Sequence, residues 1–214
     1  MLVKDRMTSD LITTTTKMPV DEALSLMREN KIRRLPVVDK RGHLVGIVSE
    51  KDLLYASPSP ATSLSVYEIG YLLSKLSLAD VMSKEVITVQ QDEAIEDAAC
   101  LMADNQIGGL PVMDGDALVG IITETDVFKT FIEMLGGREE GVRLTLHVAN
   151  EPGTLSNLTG AISEHGGDIV ALGTFASHKR AEASLMIKVC GLEEDKLVEV
   201  MESLGAHVVD VREV

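Results

Sequence analysis

The sequence predicts a mixed α/β protein of the α+β kind, in which a duplicated βαββα unit is followed by a third unit of order βαββαβ. Three observations predict this fold class. The first 135 residues repeat themselves at an offset of 75, apolar residues within each copy fall at helical and strand spacings, and the spacing changes after the second copy. A chain of 214 residues is long enough for units of this size.

The repeat keeps polar as well as apolar positions. The matching segments are 7–13 with 82–88 and 35–37 with 110–112, and, after one residue is dropped in a turn, 44–52 with 118–126. A fixed repeat indicates a structural unit that packs against its own copy. Both copies keep a hydroxyl and a carboxylate three residues apart, Ser49 with Asp52 and Thr123 with Asp126. Polar identity kept in a repeat favours a binding cleft in addition to a shared core.

Both copies have the same predicted elements. Apolar residues at i, i+3, i+4 and i+7 predict an amphipathic helix, and two short apolar strands separated by a polar turn follow it. The helix residues are Val20, Ala23, Leu24 and Met27, with Ile95, Ala98, Ala99 and Met102 as their counterparts. The predicted strands are 35–38 and 44–48, with counterparts at 110–113 and 118–122. The Ser/Thr-x-x-Asp stretch then opens another helix.

The C-terminal third of the chain has a different pattern. Val142, Leu144, Leu146 and Val148 alternate with polar or small residues, which predicts a half-buried strand. The elements predicted after it are a helix at 155–162, strands at 169–175 and 183–189 around a polar tip at 177–180, a helix at 197–204 and a strand at 207–211. This βαββαβ order is the ferredoxin-like split unit.

These patterns divide the chain into five segments. The linker between the copies is rich in Ser and Pro and is predicted to contain a short helix at 67–76. A Gly-rich run after the second copy predicts a flexible hinge. The segments are the first copy at 1–56, the linker at 57–78, the second copy at 79–135, the hinge at 136–141 and the C-terminal unit at 142–214.

The charge distribution disfavours some partners and favours others. The net charge of −14 repels nucleic acid and anionic membranes, so neither is a predicted partner. Residues 1–54 carry ten Lys/Arg and eight Asp/Glu, whereas residues 80–135 carry two Lys/Arg and twelve Asp/Glu. A small anionic ligand is therefore expected to find its cations in the first copy.

Composition also bears on location and chemistry. No apolar run approaches the roughly 18 residues of a membrane span, and no basic stretch followed by an apolar one opens the chain, so a cytoplasmic protein is predicted. Cys100 and Cys190 lie far apart in apolar contexts, which predicts buried thiols rather than a disulfide. The sequence has no CxxC or His-rich spacing, no nucleophile–base pair and no P-loop, so no metal site, catalytic residue or catalytic cofactor is predicted.

The duplicated unit resembles the cystathionine-β-synthase (CBS) domain, and the pair resembles the tandem CBS module over residues 1–135. The resemblance rests on Val81-Met82-Ser83 with Ile87-Thr88, on the two Leu-Pro-Val strands, and on the Ser/Thr-x-x-Asp stretches that follow a Gly and two apolar residues. It implies that the copies pack about a pseudo-twofold axis and leave two clefts. In this family such clefts hold AMP, ADP, ATP or S-adenosylmethionine.

The resemblance also implies roles for particular residues. Asp52 and Asp126 would bind ribose hydroxyls, while Ser49 and Thr123 would donate to phosphate. The residues that would line the adenine pocket are Ile12, Thr13, Pro36, Ile87, Thr88 and Pro111. The chemistry agrees, because a carboxylate accepts two hydrogen bonds from a vicinal diol, and a hydroxyl beside helix N-terminal amides suits a phosphate. The same spacing also fits a helix capping box, and for either copy alone both interpretations stand.

The two copies differ at the position where the family often supplies a basic residue to the phosphates. Arg33-Arg34 precedes Leu35 in the first copy, whereas Gly108-Gly109 occupies the matching place in the second. We therefore predict two unequal clefts with at most one strong phosphate site. The alternatives are a solvated arginine pair at a helix-to-strand corner, and a glycine pair that forms a turn or leaves space for a base.

The C-terminal unit resembles the ACT domain over residues 142–214, mainly through the run from Leu146 to Leu155 and through Gly167-Asp168-Ile169. The resemblance implies an amino-acid site at a dimer interface. The residues that would form it are Asn150, Gly153, Thr154 and Leu155, with Asp168 standing where Asn is commoner. The alternative, which the residues favour, is that Pro152-Gly153 only shapes a turn and that the domain only dimerises.

The whole chain resembles the acetoin-utilisation protein B-like family. The function this implies is that of a non-catalytic cytoplasmic regulator, a homodimer that binds an adenosine ligand between its CBS copies and signals through its ACT domain to a regulated protein. The alternative is an amino-acid sensor that binds its ligand through the ACT domain and uses the CBS pair as a dimerisation scaffold.

Overall fold

The structure, a computed structural model, describes residues 1–56, 65, 68, 75–175 and 182–214. The chain divides into two units, Met1–Val127 and Phe128–Val214. Most of the short helix predicted at 67–76 and all of the polar tip predicted at 177–180 lie outside the described residues. Among the helices that are described, none is long and apolar enough to cross a membrane.

Both sequence repeats fold as the predicted βαββα unit. In the first copy these elements are β1 (Thr14–Thr15), α1 (Val20–Glu29), β2 (Arg34–Val38), β3 (Leu44–Ser49) and α2 (Glu50–Ala56). After a short helix, α3 (Leu78–Val81), the second copy has β4 (Val89–Gln90), α4 (Ile95–Asn105), β5 (Gly109–Asp114), β6 (Ala117–Thr123) and α5 (Glu124–Met134). The boundary between the two units falls within α5.

The two three-stranded sheets have the same topology and register. In each sheet the first strand runs parallel to the second, and the third is antiparallel to it, in the order β1-β2-β3 and β4-β5-β6. Thr14 pairs with Val37, and at the equivalent place Val89 pairs with Val112. A bulge follows each of these two valines. The duplication detected in the sequence is therefore a duplication of backbone pairing.

Each copy has its own hydrophobic core, built largely from the positions that the periodicity predicted. The apolar faces of α1 and α4 pack on the strands, although Ala99 is only partly buried. The buried residues of the first core are Val20, Ala23, Leu24, Met27, Leu35, Val37, Val48, Leu53 and Leu78, and those of the second are Val3, Val89, Ile95, Ala98, Met102, Leu110, Val112 and Ile122.

The segment that precedes the first strand of each copy packs on the other copy. Thr8 exchanges two backbone hydrogen bonds with Ile121, of 2.9 and 3.0 Å, and the equivalent Ser83 exchanges two with Ile47, of 3.0 and 2.9 Å. The exchange continues into the cores, where Val3 is buried in the second copy and its counterpart Leu78 in the first. The two copies are therefore interlocked rather than merely adjacent, and neither completes its core without the other.

Each exchanged segment packs closely on a glycine of the other copy, so a larger residue in place of that glycine should destabilise the protein. A Cβ atom on Gly46 would lie 2.5 Å from Sδ of Met82 and 3.1 Å from the carbonyl oxygen of Ser83. We expect Gly46→Ala to destabilise the protein by about 1–3 kcal/mol, because the crossing segment must shift. Urea unfolding followed by circular dichroism measures this change.

The matched control is Gly160→Ala in the C-terminal unit, where a Cβ atom would meet nothing within 4 Å. Since Gly160 lies inside a helix, this substitution is expected to stabilise by about 0.5–1 kcal/mol. Equal stability of Gly46→Ala and wild type would show that the exchanged segment is not closely packed.

The C-terminal unit has the predicted βαββαβ order and forms one antiparallel sheet in the order β10-β7-β9-β8. Its elements are β7 (Val142–Ala149), α6 (Thr154–Glu164), β8 (Asp168–Phe175), β9 (Glu182–Cys190), α7 (Glu194–Ser203) and β10 (His207–Glu213). The alternating residues of β7 bury Val142, Leu144, Leu146 and Val148 against α6 and α7, as their spacing predicts.

The Gly-rich segment 136–141 was predicted to be flexible, but the structure ties it to the C-terminal sheet. Lys188 of β9 is only 3% exposed, and its Nζ donates to the carbonyl oxygens of Gly136, at 3.0 Å, and of Glu139. Gly141 and Val214 exchange two backbone hydrogen bonds of 2.9 and 3.1 Å. Gly136 and Gly141 have positive φ values of +58° and +149°, a conformation that glycine adopts without steric cost. A hinge between the units at this segment stays a prediction.

The two cysteines are more accessible than predicted. Cys100 is exposed on α4, because it lies off the apolar face of that helix, and Cys190 is partly buried at the end of β9. Both are free thiols, as the sequence predicts. Apolar neighbours in the sequence were therefore not enough to predict whether these cysteines are buried.

Candidate functional site

Two cavities in the first unit are lined by residues from both CBS-like copies. The larger has a volume of about 970 Å³ and the smaller of about 250 Å³. The larger brings together Ser49 and Asp52 of the first copy with Ile87 and Pro111 of the second. The smaller reverses this combination, with Thr123 and Asp126 of the second copy and Ile12 and Pro36 of the first. Of the candidates taken from the resemblance, Thr13 and Thr88 line neither cavity.

The hydroxyl and the carboxylate of the first copy form a capping box at the start of α2. The Ser49 amide and hydroxyl donate to the same oxygen, Oδ2 of Asp52, at 2.8 and 2.7 Å. In return the Asp52 amide donates to Oγ of Ser49 at 3.2 Å. Within the described part of the chain, no hydrogen bond to Oδ1 of Asp52 is formed. One carboxylate oxygen thus serves the cap while the other remains available to a ligand.

The second copy repeats this arrangement at the start of α5. The Thr123 amide and hydroxyl donate to Oδ2 of Asp126 at 3.0 and 2.7 Å. The cap explains why these residue types recur at this spacing, since it satisfies amide groups at the helix start. The cap and a ligand-binding role are compatible, because a carboxylate has more acceptor sites than the cap uses.

The Arg34 side chain fits against the glycine pair of the other copy. A Cβ atom on Gly109 would lie 3.1 Å from Cδ and 3.2 Å from Nε of Arg34, and a Cβ atom on Gly108 would overlap its Nη2 atom. The guanidinium therefore occupies the space that the missing side chains leave. Arg34 is half-buried, so it is not the solvated corner residue of the alternative interpretation, whereas Arg33 is exposed.

The charges around Arg34 are of both signs. Burial lowers the pKa of its guanidinium, and the like charge of Arg33 lowers it further, while Glu124 and Asp52 oppose the shift. An arginine remains protonated at neutral pH through shifts of this kind. Arg34 is thus a partly desolvated cation beside two carboxylates, one from each copy, and such a cation interacts strongly with an added anion.

All cations that line either cavity, among the described residues, belong to the first copy. Arg33 and Arg34 line both cavities, Lys51 lines the larger and Lys31 the smaller. The sequence predicts this origin of the cations from the uneven charge distribution. It also predicts that the arginines serve one cleft, whereas the structure places them beside both. That difference arises because the pair lies where the two copies meet.

Some lining residues were missed by sequence reasoning. Ile107 lines the larger cavity, and its counterpart Ile32 lines the smaller. The signal was available, because the two isoleucines are equivalent in the repeat and directly precede the arginine and glycine pairs. They were overlooked because an isolated apolar match has no obvious chemistry.

The candidate amino-acid site of the C-terminal unit is not assembled within one chain. Asn150, Gly153, Thr154 and Leu155 lie between the end of β7 and the start of α6, where Gly153 has a φ of +92°. Asp168 opens β8 and pairs with Cys190, at the end of the sheet opposite to the end of β7. With about 3.3 Å per strand residue, roughly 25 Å separate Asp168 from the other four. In the described ranges no group of three His, Cys, Asp or Glu side chains could hold a metal ion.

Two family profiles match this chain. The CBS domain matches residues 3–59 and 78–133, and the TTHA0829-like ACT domain matches residues 140–212. The chain therefore belongs to the CBS domain family, as a tandem CBS pair with a C-terminal ACT-like domain.

Solved structures narrow this similarity. The chain is 34% identical to a Vibrio cholerae protein named as an acetoin utilization protein (AcuB), with a TM-score of 0.53 and coverage of 65% of this chain and 96% of that one. It is 30% identical to the CBS domain pair of protein MJ0100 in complex with 5′-methylthioadenosine and S-adenosyl-L-methionine, with a TM-score of 0.52 and coverage of 65% and 98%. It is 34% identical to CBSX2 in complex with AMP, with a TM-score of 0.50 and coverage of 61% and 96%.

Proposed function

We propose that this chain is a non-catalytic regulatory protein whose CBS pair binds an adenosine ligand, namely AMP, ADP, ATP or S-adenosylmethionine. The observation that carries the proposal is that Asp52, Arg33 and Arg34 meet around one cavity that apolar residues also line. A carboxylate suits the ribose diol, guanidinium groups suit a phosphate, and apolar side chains suit the faces of a base.

The larger cavity is the preferred site. Its volume of about 970 Å³ lies within the usual range of small-molecule sites, roughly 300–1,000 Å³, whereas the smaller cavity of about 250 Å³ falls below it. In the larger cavity Ile87, Ile107 and Pro111 would contact adenine, and Asp52 would accept from the ribose through Oδ1. The arginine pair favours the phosphorylated members of this ligand class, because the sulfonium of S-adenosylmethionine is itself a cation.

The similar structures support the same ligand class. One of them holds AMP, and another holds 5′-methylthioadenosine and S-adenosyl-L-methionine, so the shared part of these ligands is the adenosine moiety. The residues that would bind this moiety here are those that the repeat keeps in both copies.

The regulatory part of the proposal needs a path from the ligand to the ACT-like domain. Helix α5 carries Asp126 in its first turn and continues past Val127, where the first unit ends. A ligand regulates only if it binds two arrangements of the protein with different affinity. We propose that α5 transmits this difference, within a cytoplasmic homodimer, to a regulated protein.

An amino-acid sensor has less support. Gly153 is explained by its positive φ alone, and Asp168 lies at the other end of the sheet, so that only a second copy of the chain would bring it to the other four residues. The thermal melts described next are also run with amino acids, so that this alternative is tested on the same protein.

Calorimetric titration of the full chain with AMP, ADP, ATP and S-adenosylmethionine tests the function. We expect saturable binding of at least one of them, with GMP as the control for the base. Free ligand at 100 times its Kd would then stabilise the protein by about 2.7 kcal/mol, which a thermal melt detects. If none of the four ligands binds and an amino acid stabilises the protein, the proposal is overturned in favour of the sensor.

A further inference from the structure

The arginine pair occupies a special place in the repeat. Arg34 is equivalent to Gly109, and Arg33 to Gly108, at the constant offset of 75. The Arg34 side chain nevertheless lies against Gly108 and Gly109, so that it contacts its own counterparts. A side chain in contact with its own counterpart lies where the pseudo-twofold axis passes between the copies. Such a position has room for one side chain of this size, not for two.

The geometry shows why only one copy carries the arginine. The Cβ atom of a residue at 109 would already lie 3.1 Å from Cδ of Arg34 and 3.1 Å from the carbonyl oxygen of Ile122. A second guanidinium there would need the same space and would bring two cations together. The glycines thus leave the space that the Arg34 side chain fills.

The two cavities have the same two arginines in their lining, which limits how they can bind phosphate. Arg33 and Arg34 line both, and the second copy adds no cation of its own, since Gln106 stands at the position of Lys31. A phosphate in either cavity would draw on the same guanidinium groups. A second phosphate, in the smaller cavity, would find those groups already neutralised, would lie close to the first and would have only Lys31 as a further cation among the described lining residues.

We propose that the two cavities share this single arginine pair, so that each chain binds one phosphorylated adenosine ligand at a time. This inference rests on the proposed function and adds the number of phosphorylated ligands that one chain binds. The first phosphorylated ligand takes the larger cavity, which has the volume for it. The smaller cavity then binds a second one much more weakly, and Arg34 is the residue that separates phosphorylated from unphosphorylated ligands.

The test compares AMP with adenosine on the full chain by calorimetry. For wild type we expect one AMP per chain, with any second AMP weaker by at least about 30-fold, as expected for like charges close together in a partly desolvated site. Arg34→Gly is expected to weaken AMP binding by about 30-fold and adenosine binding far less, because the lost contacts are charge-assisted bonds to phosphate. Arg34→Gln serves as a second variant that keeps much of the side-chain volume.

The decisive variant is the exchange across the axis. In Arg34→Gly/Gly109→Arg, an arginine from the second copy would enter the same space from the other side, so AMP affinity should return to within about threefold of wild type. Gly109→Arg alone should unfold more easily than wild type, because two guanidinium groups compete for one place, and it should not add a second AMP.

The possible outcomes distinguish failure of the proposed function from failure of the shared arginine pair. If adenosine and all four ligands of the first titration fail to bind wild type, the proposed function fails and the inference fails with it. If ADP or ATP binds in place of AMP, the same comparison with adenosine is made with that nucleotide. If adenosine binds but two AMP molecules bind per chain with equal affinity, or if Gly109→Arg raises the number of bound AMP molecules to two, only the sharing of the arginine pair is wrong. Failure of the exchanged double variant to recover AMP binding, in a protein that still binds adenosine, also overturns it.

Discussion

Replacing Asp52 by alanine is expected to weaken binding of an adenosine ligand by about 100-fold. The Asp52 carboxylate lines the larger cavity and is the group that we propose to accept from the ribose hydroxyls, and hydrogen bonds to a charged group contribute about 1.5–3 kcal/mol each. Calorimetric titration with the ligand that binds wild type most tightly measures the loss. Asp52→Asn keeps the shape of the side chain and should show an intermediate loss.

Two controls separate binding from folding. Asp126→Ala removes the equivalent carboxylate from the smaller cavity and should change affinity by less than about threefold if the larger cavity is the site. Asp80→Ala removes a capping box of the same kind, in which Ser77 donates to Oδ2 of Asp80 at 2.7 Å through its hydroxyl, but it touches neither cavity. It should lower stability slightly and leave affinity unchanged. Unchanged binding in Asp52→Ala would exclude this carboxylate from the site.

Replacing Lys188 by methionine is expected to destabilise the C-terminal unit by about 2–4 kcal/mol. The methionine keeps most of the buried volume, but the carbonyl oxygens of Gly136 and Glu139 lose their donor in a place that water does not readily reach. Thermal melts followed by circular dichroism measure the loss. Hydrogen exchange of the amides in 136–141 should report where it occurs.

The matched control for this prediction is Lys196→Met on α7. Lys196 pairs with Glu199 at 2.8 Å, and its side chain is 46% exposed, so the pair contributes little. This variant should melt within about 0.5 kcal/mol of wild type. If Lys188→Met keeps both the wild-type melting temperature and the protection of 136–141, the buried lysine does not hold this segment.

Lys188 illustrates what a sequence pattern misses. In β9, Leu185, Ile187 and Val189 lie on one face of the strand and Met186 and Lys188 on the other, and a lysine is almost never fully buried unless it is paired. In the structure these two residues are also buried, because the segment after α5 covers the second face of this central strand. Periodicity reports the repeat of a strand, but not whether another part of the chain lies over its polar side.

Much of the fold followed from local patterns. The helical stripe of α1, the strands around each Leu-Pro-Val and the βαββαβ order of the C-terminal unit are all where the spacing predicts them. These features are predictable because a helix and a strand each impose their own period on the apolar residues, so about ten residues suffice to reveal them. The chemistry of the ends of β3 and β6 was equally visible, since the repeat shows it twice.

The sequence alone thus determined the duplicated units, the C-terminal βαββαβ unit and the origin of the cations in the first copy. Only the tertiary structure decided which residues meet. It exchanged the segments before the two copies, combined Asp52 with Ile87 and Pro111 of the other copy, and seated Arg34 against Gly108 and Gly109. The physical reason is that periodicity is a local property of the chain. Contact between two copies instead depends on how their surfaces close-pack, and one side chain at the axis is enough to make two similar cavities unequal.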